Sequence, residues 1–190
     1  MTITKSTLHF EQFMVGQSKA AAAMWKLTNI DSSIAQSAFS ISKADLNALK
    51  VAMPEQVLSA TQNNSQLFSI TPVNRAQING ISSSPVLGEI PFTSSKVKSC
   101  IIEYCSAQRQ CLLALKSVVE IDSTLAKSLF RLDPDTLTLL ENYNSFELSL
   151  LSDRHAWFLN LNYSRHENVL KDTLDRGIHD ITLLESSLLY

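Results

Sequence analysis

Glycine and proline are scarce in this chain, with 4 and 5 residues respectively among 190. Few turn-forming residues, together with apolar residues that recur at three- and four-residue spacing, favour helices joined by short turns and argue against an all-β fold. Hydrophobic residues make up 45% of the chain, which is enough for one globular domain or two small ones to bury a core. We therefore predict an all-α protein.

The chain also lacks an excess of positive charge. Its formal net charge is -2 and its isoelectric point is near 6.1, so it has no basic field that would draw it onto a phosphate backbone. It contains no run of about 18 apolar residues, and residues 1–30 lack the features of a secretory signal. These absences predict a cytoplasmic protein that does not enter a membrane and contacts DNA only weakly or indirectly.

Signatures of catalysis and metal binding are missing as well. The chain has 4 histidines, scattered and without the spacing of metal ligands, and "GISSSPVLG" contains neither a nucleophile elbow nor a phosphate-binding glycine series. Three cysteines, Cys100, Cys105 and Cys111, share one predicted helix, which is not a disulfide framework. We interpret them as buried free thiols, with a redox role as the alternative, and expect no enzymatic activity, cofactor or metal.

What the chain does contain is a sequence that occurs twice. "IDSSIAQSAF" begins at Ile30 and "IDSTLAKSLF" begins at Ile121, with six of the ten positions identical. The two stretches set an offset of 91 residues, at which polarity matches along much of the chain. Phe39 and Phe130, which close the two stretches, are predicted to be equivalent core residues.

Each copy predicts the same series of helices. At the offset of 91, Phe13 falls on Tyr104 and Gln17 falls on Gln108 within the long first helices. The predicted elements are a first helix (about 8–29 and 95–120), a second helix capped by Asp31 and Asp122, a third starting at Ser42 and Asp133, and a fourth (54–63 and 145–154).

Short strand segments are predicted near residues 66–70 and 157–162, where "WFLNLN" alternates. An isolated strand needs a partner, and the natural partner is the equivalent strand of the other copy. This predicts two repeats that pack about a pseudo-twofold axis as an intramolecular pseudo-dimer. The chain then divides into a first repeat (1–70), a Ser-, Pro- and Gly-rich linker (71–94), a second repeat (95–163) and a helical tail (164–190).

The second copy, "LLALKSVVEIDSTLAKSLFRLDPDTLTLLENYNSFELSLLSDRHAWFLNLNYS", resembles the bacterial flagellar transcriptional activator subunit FlhD. The likeness lies in the long first helix, in an A-x-x-[LM]-F-R-L-like motif at residues 126–132 and in the helix-then-strand order that follows. "MPEQVLSATQNNSQLF" in the first copy is similar to that family's fourth helix and entry to the strand, and the tail resembles its C-terminal segment. The resemblance covers residues 10–70 and 101–189.

The resemblance implies an all-α intertwined homodimer that joins a zinc-binding subunit, FlhC, in a transcription activator. A tandem copy would then be a fused dimer. Two features depart from the family: the strand regions lack its cysteine, so no intersubunit disulfide is implied, and the tail follows only the second copy.

Two sets of residues are candidates for partner binding. Trp25 falls on Lys116 at the offset of 91, so an aromatic residue present in one copy only is a candidate exposed contact, with ordinary burial as the alternative. The tail carries basic and imidazole side chains that could bind a protein partner or touch DNA phosphates, although interleaved carboxylates make a solvated face the alternative. These tail residues are Arg165, His166, Lys171, Arg176 and His179.

Two classes of function follow from these features. The first is a regulatory protein that acts through protein contacts and is associated with transcription, as a co-activator or anti-activator with a FlhC-like partner. The alternative is a helical adaptor, chaperone or structural component of a bacterial secretion system, because likeness at the level of fold does not determine function. For either class we expect a chain that is monomeric by mass, with a higher assembly as the alternative.

Overall fold

The computed structural model describes residues 2–39, 41–63, 68–70, 94–130, 132–154 and 159–161. Over these residues the chain is mostly helical, as the sequence predicts. Four helices and a short strand occur twice in the same order. The elements are α1 (Thr2–Ile30), α2 (Ser32–Phe39), α3 (Lys43–Val51), α4 (Pro54–Asn63), β1 (Phe68–Ile70), α5 (Ser95–Ile121), α6 (Ser123–Phe130), α7 (Pro134–Asn142), α8 (Ser145–Arg154) and β2 (Leu159–Leu161).

The helix boundaries agree with the predicted ones except at the start of α1. This helix begins at Thr2 rather than near residue 8. Residues 2–7 contain no glycine or proline, and each residue added to an existing helix gains one backbone hydrogen bond, so the helix extends toward the N-terminus. Residues 71–93 of the predicted linker and the whole predicted tail lie outside the described residues.

Aspartates cap the short helices that carry the repeated motif. Asp31 Oδ1 accepts hydrogen bonds from the backbone N–H groups of Ser33 and Ile34, each at 3.0 Å. Asp122 Oδ1 accepts one from the N–H of Leu125 at 2.9 Å. Both predicted N-caps are confirmed. Because a cap satisfies backbone donors that a helix start leaves free, each aspartate stabilises the turn between a long helix and the short helix after it.

The long helices α1 and α5 pack against each other in antiparallel directions. Their close contact at Gly16 requires a glycine, because a Cβ atom there would lie 2.5 Å from Cys111 Sγ and 3.2 Å from the carbonyl oxygen of Ala107. Ala107 is the residue that the repeat aligns with Gly16. The glycine therefore permits a helix spacing that a larger side chain would not.

Residues that the repeat aligns with each other also meet at two further places. Lys19 Nζ donates a hydrogen bond to Gln110 Oε1 at 3.0 Å, and these residues are 91 positions apart. In the antiparallel pair of β1 and β2, Ser69 lies opposite Asn160, which is the same offset. The two strand segments therefore form where the sequence predicts them and pair with each other.

Aromatic rings from the short helices pack across the two copies. The ring of Phe39, in α2, lies 4.4 Å from the ring of Tyr104, in α5, measured between centroids. The ring of Phe130, in α6, lies 4.8 Å from the ring of Phe13, in α1. Phe39 is buried, and Phe130 is half-buried against the core. One hydrophobic cluster thus contains residues of both copies, and each short helix completes the core beside the other copy's long helix.

A buried glutamine occupies the same position in each long helix. Gln17 and Gln108 are both 0% exposed. Gln17 Oε1 accepts a hydrogen bond from the backbone N–H of Phe68, in β1, and Gln108 Nε2 donates one to the backbone carbonyl of Ser152, in α8, each at 3.2 Å. Because a buried amide without a partner is costly, these bonds hold each long helix to the last elements of its own copy.

Candidate protein-interaction surface

Trp25, the candidate contact in the first copy, lies near the C-terminal end of α1 and is half-buried. Its indole Nε1–H donates a hydrogen bond to the backbone carbonyl of Ala52, the C-cap of α3, at 2.9 Å. The five tail candidates lie outside the described residues, so their roles stay predictions. Trp25 is therefore held in place by α3 while part of its ring still reaches the surface.

Lys116, the counterpart of Trp25, has a similar local role with different chemistry. It is 6% exposed, and its Nζ donates a hydrogen bond to the backbone carbonyl of Glu141 in the last turn of α7, at 3.3 Å. It also forms an ion pair with Glu120 at 3.2 Å. The last carbonyls of a helix have no partner within the helix, so both residues satisfy a carbonyl group of this kind.

Two apolar side chains flank the carbonyl group that Trp25 binds. Val51 ends α3 and is 79% exposed, and Met53 precedes α4 and is 61% exposed. Ala52 lies between Val51 and Met53 in the chain and accepts the indole hydrogen bond, so these two exposed side chains stand next to the backbone group that Trp25 binds. We call these three residues the α3–α4 corner.

The equivalent positions of the second copy are polar, and Lys116 among them is buried. Lys116, Asn142 and Asn144 occupy the positions that align with Trp25, Val51 and Met53. Both asparagines are exposed. We call these three residues the α7–α8 corner. The exposed residues of the two corners therefore differ in polarity: Val51 and Met53 are apolar, whereas Asn142 and Asn144 are polar.

The residue before the fourth helix is Met53 in the first copy and Asn144 in the second, and this difference changes how the helix is capped. The backbone N–H of Met53 donates to Gln56 Oε1 at 2.6 Å, and that of Asn144 donates to Glu147 Oε2 at 2.8 Å, so this half of the capping arrangement is present in both copies. Of these two described helix starts, only that of the second copy has the reciprocal bond, from the helix backbone to the side chain of the capping residue. There Asn144 Oδ1 accepts from the N–H of Glu147 at 3.0 Å. A methionine side chain has no such oxygen acceptor, so α4 lacks the side-chain cap that α8 has.

The two corners also differ in charge. Lys43 and Lys50 are the exposed charged residues of α3, whereas Asp135 and Glu141 are those of α7. Lys50 aligns with Glu141, so the charge next to the corner changes sign between the copies. Glu55, in the first turn of α4, is exposed on the other side of the α3–α4 corner.

A second exposed apolar pair lies on α8. Phe146 is 72% exposed and Leu150, one turn further along the helix, is 41% exposed. Glu55 and Ser59 align with them in the first copy. The exposed apolar residues therefore differ between the copies: the first copy has them before and after Ala52, and the second has them on α8.

The cysteines offer no reactive thiolate. All three are buried and free. Burial raises the pKa of Cys105 from 9.0 to about 12, with the charge of Asp153 as a further cause, and burial also raises the pKa of Cys100 and of Cys111. A thiol held in its neutral form is a poor nucleophile and a poor metal ligand. Among the residues that the structure describes, no group of three or more His, Cys, Asp or Glu residues is placed to hold a metal ion.

Within the described parts of the chain, no helix combines the length and the apolarity that crossing a lipid bilayer requires. The chain matches no protein-family model, no curated protein and no solved structure. The likeness to FlhD therefore stays a prediction that rests on the residues quoted above.

The sequence singled out Trp25 as a candidate contact, which stays a prediction, but it did not single out Val51 or Met53. A signal for Met53 was present, because a methionine stands immediately before Pro54 where the aligned residue of the second copy is Asn144, a good helix cap. Nothing in the sequence alone indicated that Val51 and the indole share a surface. Their proximity depends on how α3 packs against α1.

Proposed function

We propose that the chain is a fused relative of the FlhD dimer, a non-enzymatic pseudo-dimer that regulates transcription by binding a protein partner. The observation that carries the proposal is the exchange of aromatic rings, in which Phe39 packs on Tyr104 and Phe130 packs on Phe13. An intertwined homodimer that became one chain by duplication would retain this packing, because every contact across a twofold interface occurs twice, once from each copy, and Phe39–Tyr104 aligns with Phe130–Phe13.

Two contacts between aligned residues support the same arrangement. Lys19 meets Gln110, and Ser69 lies opposite Asn160. A residue that lies beside its own equivalent is expected at a twofold axis and nowhere else in a repeat. Both contacts are thus expected of a homodimer joined into one chain.

The partner that the resemblance implies is a FlhC-like subunit. As a co-activator, the chain activates transcription together with this subunit. As an anti-activator, it binds the subunit and prevents it from joining the FlhD dimer. A net charge of -2 favours DNA contact through the partner rather than through this chain. The α3–α4 corner supports a protein partner, because Val51 and Met53 are exposed and apolar.

The second candidate function is that of an adaptor, chaperone or structural component of a secretion system. The exposed pair Phe146 and Leu150 on α8 favours it, because this pair offers a second apolar contact on the copy opposite the α3–α4 corner. A protein that bridges two partners needs two such surfaces, whereas a subunit of one complex needs only one.

An affinity purification from the native cell separates the two functions. The tagged full-length chain is recovered with its partners, and the recovered complex is tested for binding to promoter DNA in a mobility-shift assay. We expect a transcription factor that either shifts DNA together with the chain or loses its own shift when the chain is added. Recovery of secretion proteins without any transcription factor would contradict the regulator and favour the adaptor.

A destabilised variant provides the control. The double variant Phe39→Ala, Phe130→Ala lacks the exchanged rings, so its hydrophobic core is more exposed. Proteins that bind nonspecifically to exposed hydrophobic residues are therefore recovered with this variant at least as well as with the native chain. Only proteins enriched by the native chain over this variant count as partners. The tag alone controls for binding to the resin.

A further inference from the structure

The exposed apolar residues of the α3–α4 corner do not serve the local structure. Residues at the position before a helix are preferably Asn, Asp, Ser or Thr, and Asn144 supplies such a cap in the second copy. Met53 stands at the same place in the first copy and is 61% exposed. Departures from a local rule that bring no gain within the chain are typical of functional sites.

The backbone of this corner has few groups left for a partner strand to bind. The carbonyl of Ala52 accepts from the indole of Trp25, the N–H of Ala52 donates to Ala48, and the N–H of Met53 donates to Gln56. A partner that adds an extended strand needs free backbone donors and acceptors. Recognition here therefore depends on side chains, which suits a helix whose own backbone groups are already paired.

The charges near the corner determine whether it attracts an acidic or a basic partner surface. Lys50 is exposed next to Val51, and Lys43 is exposed about two turns earlier, at the start of α3. The equivalent helix of the other copy exposes Asp135 and Glu141 instead. An acidic partner is attracted to the first corner and repelled from the second. Because Glu55 is exposed in α4, the acidic residues of the partner are expected opposite α3.

We infer that the α3–α4 corner docks one acidic amphipathic helix of a partner protein, and that each chain binds a single such helix. The apolar stripe of the helix packs on Trp25, Val51 and Met53, and its acidic residues face Lys50. The α7–α8 corner provides no second site. This inference rests on the proposed function, since it names the chemistry and the number of partners for a protein that acts by protein binding.

Titration of the full-length chain with two fluorescent helical peptides tests the inference. Both peptides carry the same leucine stripe, and one has glutamates where the other has lysines. We expect the acidic peptide to bind at one per chain by calorimetry, and about tenfold or more tightly than the basic peptide by fluorescence anisotropy. The substitution Lys50→Glu introduces the residue that the second copy has at this position, Glu141, and should remove this preference.

Met53→Asn is the decisive variant. We expect it to weaken the acidic peptide about tenfold or more, because a central apolar contact is lost. The same change should raise the midpoint of unfolding, because asparagine restores the helix cap. Weaker binding by a more stable protein is not the result of a folding defect. The matched control is Leu8→Glu, which removes an exposed apolar side chain at the opposite end of α1 from Trp25 and should leave the affinity within about twofold.

Several results would overturn the inference. They are failure of the full-length chain to bind either peptide, two bound peptides per chain, tighter binding of the basic peptide, and equal losses from Met53→Asn and Leu8→Glu. A chain that sediments as a dimer and becomes a monomer on Met53→Asn would assign the corner to a second copy instead. The titration contains no DNA and no other subunit, so failure of the regulator proposal leaves a positive result intact.

Discussion

Phe39 and Tyr104 belong to different copies of the repeated sequence, yet their ring centroids lie 4.4 Å apart. The equivalent pair, Phe130 and Phe13, is separated by 4.8 Å. Each short helix therefore contributes an aromatic ring to the core beside the other copy's long helix. Neither copy contains all the side chains that bury its own long helix, so the two are expected to fold together.

Removal of an exchanged ring should destabilise the whole chain. We expect Phe39→Ala to lower the free energy of unfolding by about 3–5 kcal/mol, because a buried ring leaves a cavity. Phe130→Ala should cost less, since this ring is half-buried. Urea unfolding followed by circular dichroism should show one transition in both variants.

Separation of the copies should prevent folding. A fragment of residues 1–80 retains Phe39 but not Tyr104, so its core is incomplete. We expect it to show no cooperative unfolding transition. A stable, monomeric fragment with a sharp transition would contradict the intertwined packing.

The contact between α1 and α5 should be sensitive to one methyl group at Gly16. A Cβ atom there would lie 2.5 Å from Cys111 Sγ, so we expect Gly16→Ala to cost about 1–3 kcal/mol despite the higher helix propensity of alanine. Cys111→Ala in the same chain should recover most of this loss, because it removes the atom that clashes.

The second half of the chain supplies a natural control for this pair. Ala107 and Ala20 align with Gly16 and Cys111, and both alanines are buried. The double variant therefore places the same small pair in both halves. A double-mutant cycle of unfolding free energies should give a favourable coupling, and additive effects would show that the sulfur atom does not limit the approach of the helices.

Exchange of the residues before the fourth helices should have opposite effects in the two copies. We expect Met53→Asn to raise the free energy of unfolding by about 1 kcal/mol, because asparagine can accept a hydrogen bond from the first turn of α4. Asn144→Met should lower it by about the same amount, since the bond to the N–H of Glu147 is lost. Equal effects of the same sign would contradict the capping explanation.

Buried thiols should make the protein less stable in alkali. The folded state raises the pKa of Cys105 from 9.0 to about 12, mainly by burial. Above pH about 9 the unfolded chain loses this proton while the folded chain keeps it, so the stabilisation is complete below that pH and is lost as pH rises toward 12. Each thiol contributes a slope of up to about 1.4 kcal/mol per pH unit.

Denaturant unfolding at a series of pH values checks this dependence. Cys105→Ala should show a shallower decline than the native chain, and Cys111, whose pKa burial also raises, should account for part of the remainder. At neutral pH an alkylating reagent should modify the thiols slowly in the native protein and rapidly in denaturant. Rapid modification of native Cys105 would contradict its burial.

Sequence reasoning succeeded where structure is determined by nearby residues. Asp31 and Asp122 were recognisable as caps because a cap depends on backbone groups two or three residues away. Helix periodicity is likewise a property of neighbours, and it located the fourth helices at both predicted ranges. The pairing of β1 with β2 was predicted too, because the offset of the repeat leaves each short strand with one natural partner.

The candidate site was predicted only in part, because exposure depends on packing. Trp25 was identifiable as an aromatic residue present in one copy, but its hydrogen bond to Ala52 joins residues 27 positions apart. Its counterpart Lys116 is buried, and the end of α7 provides a carbonyl group for its ammonium. No local pattern records either contact.

The sequence by itself determined the helices, their caps and the duplication, since each follows from residues close together in the chain or from identity between its two parts. Tertiary structure alone decided which copy's ring completes which core, as in the contact of Phe39 with Tyr104. It also decided that Val51 and Met53 face outward beside Trp25. Both depend on the packing of helices distant in sequence, where the free energy comes from shared burial rather than from local propensity.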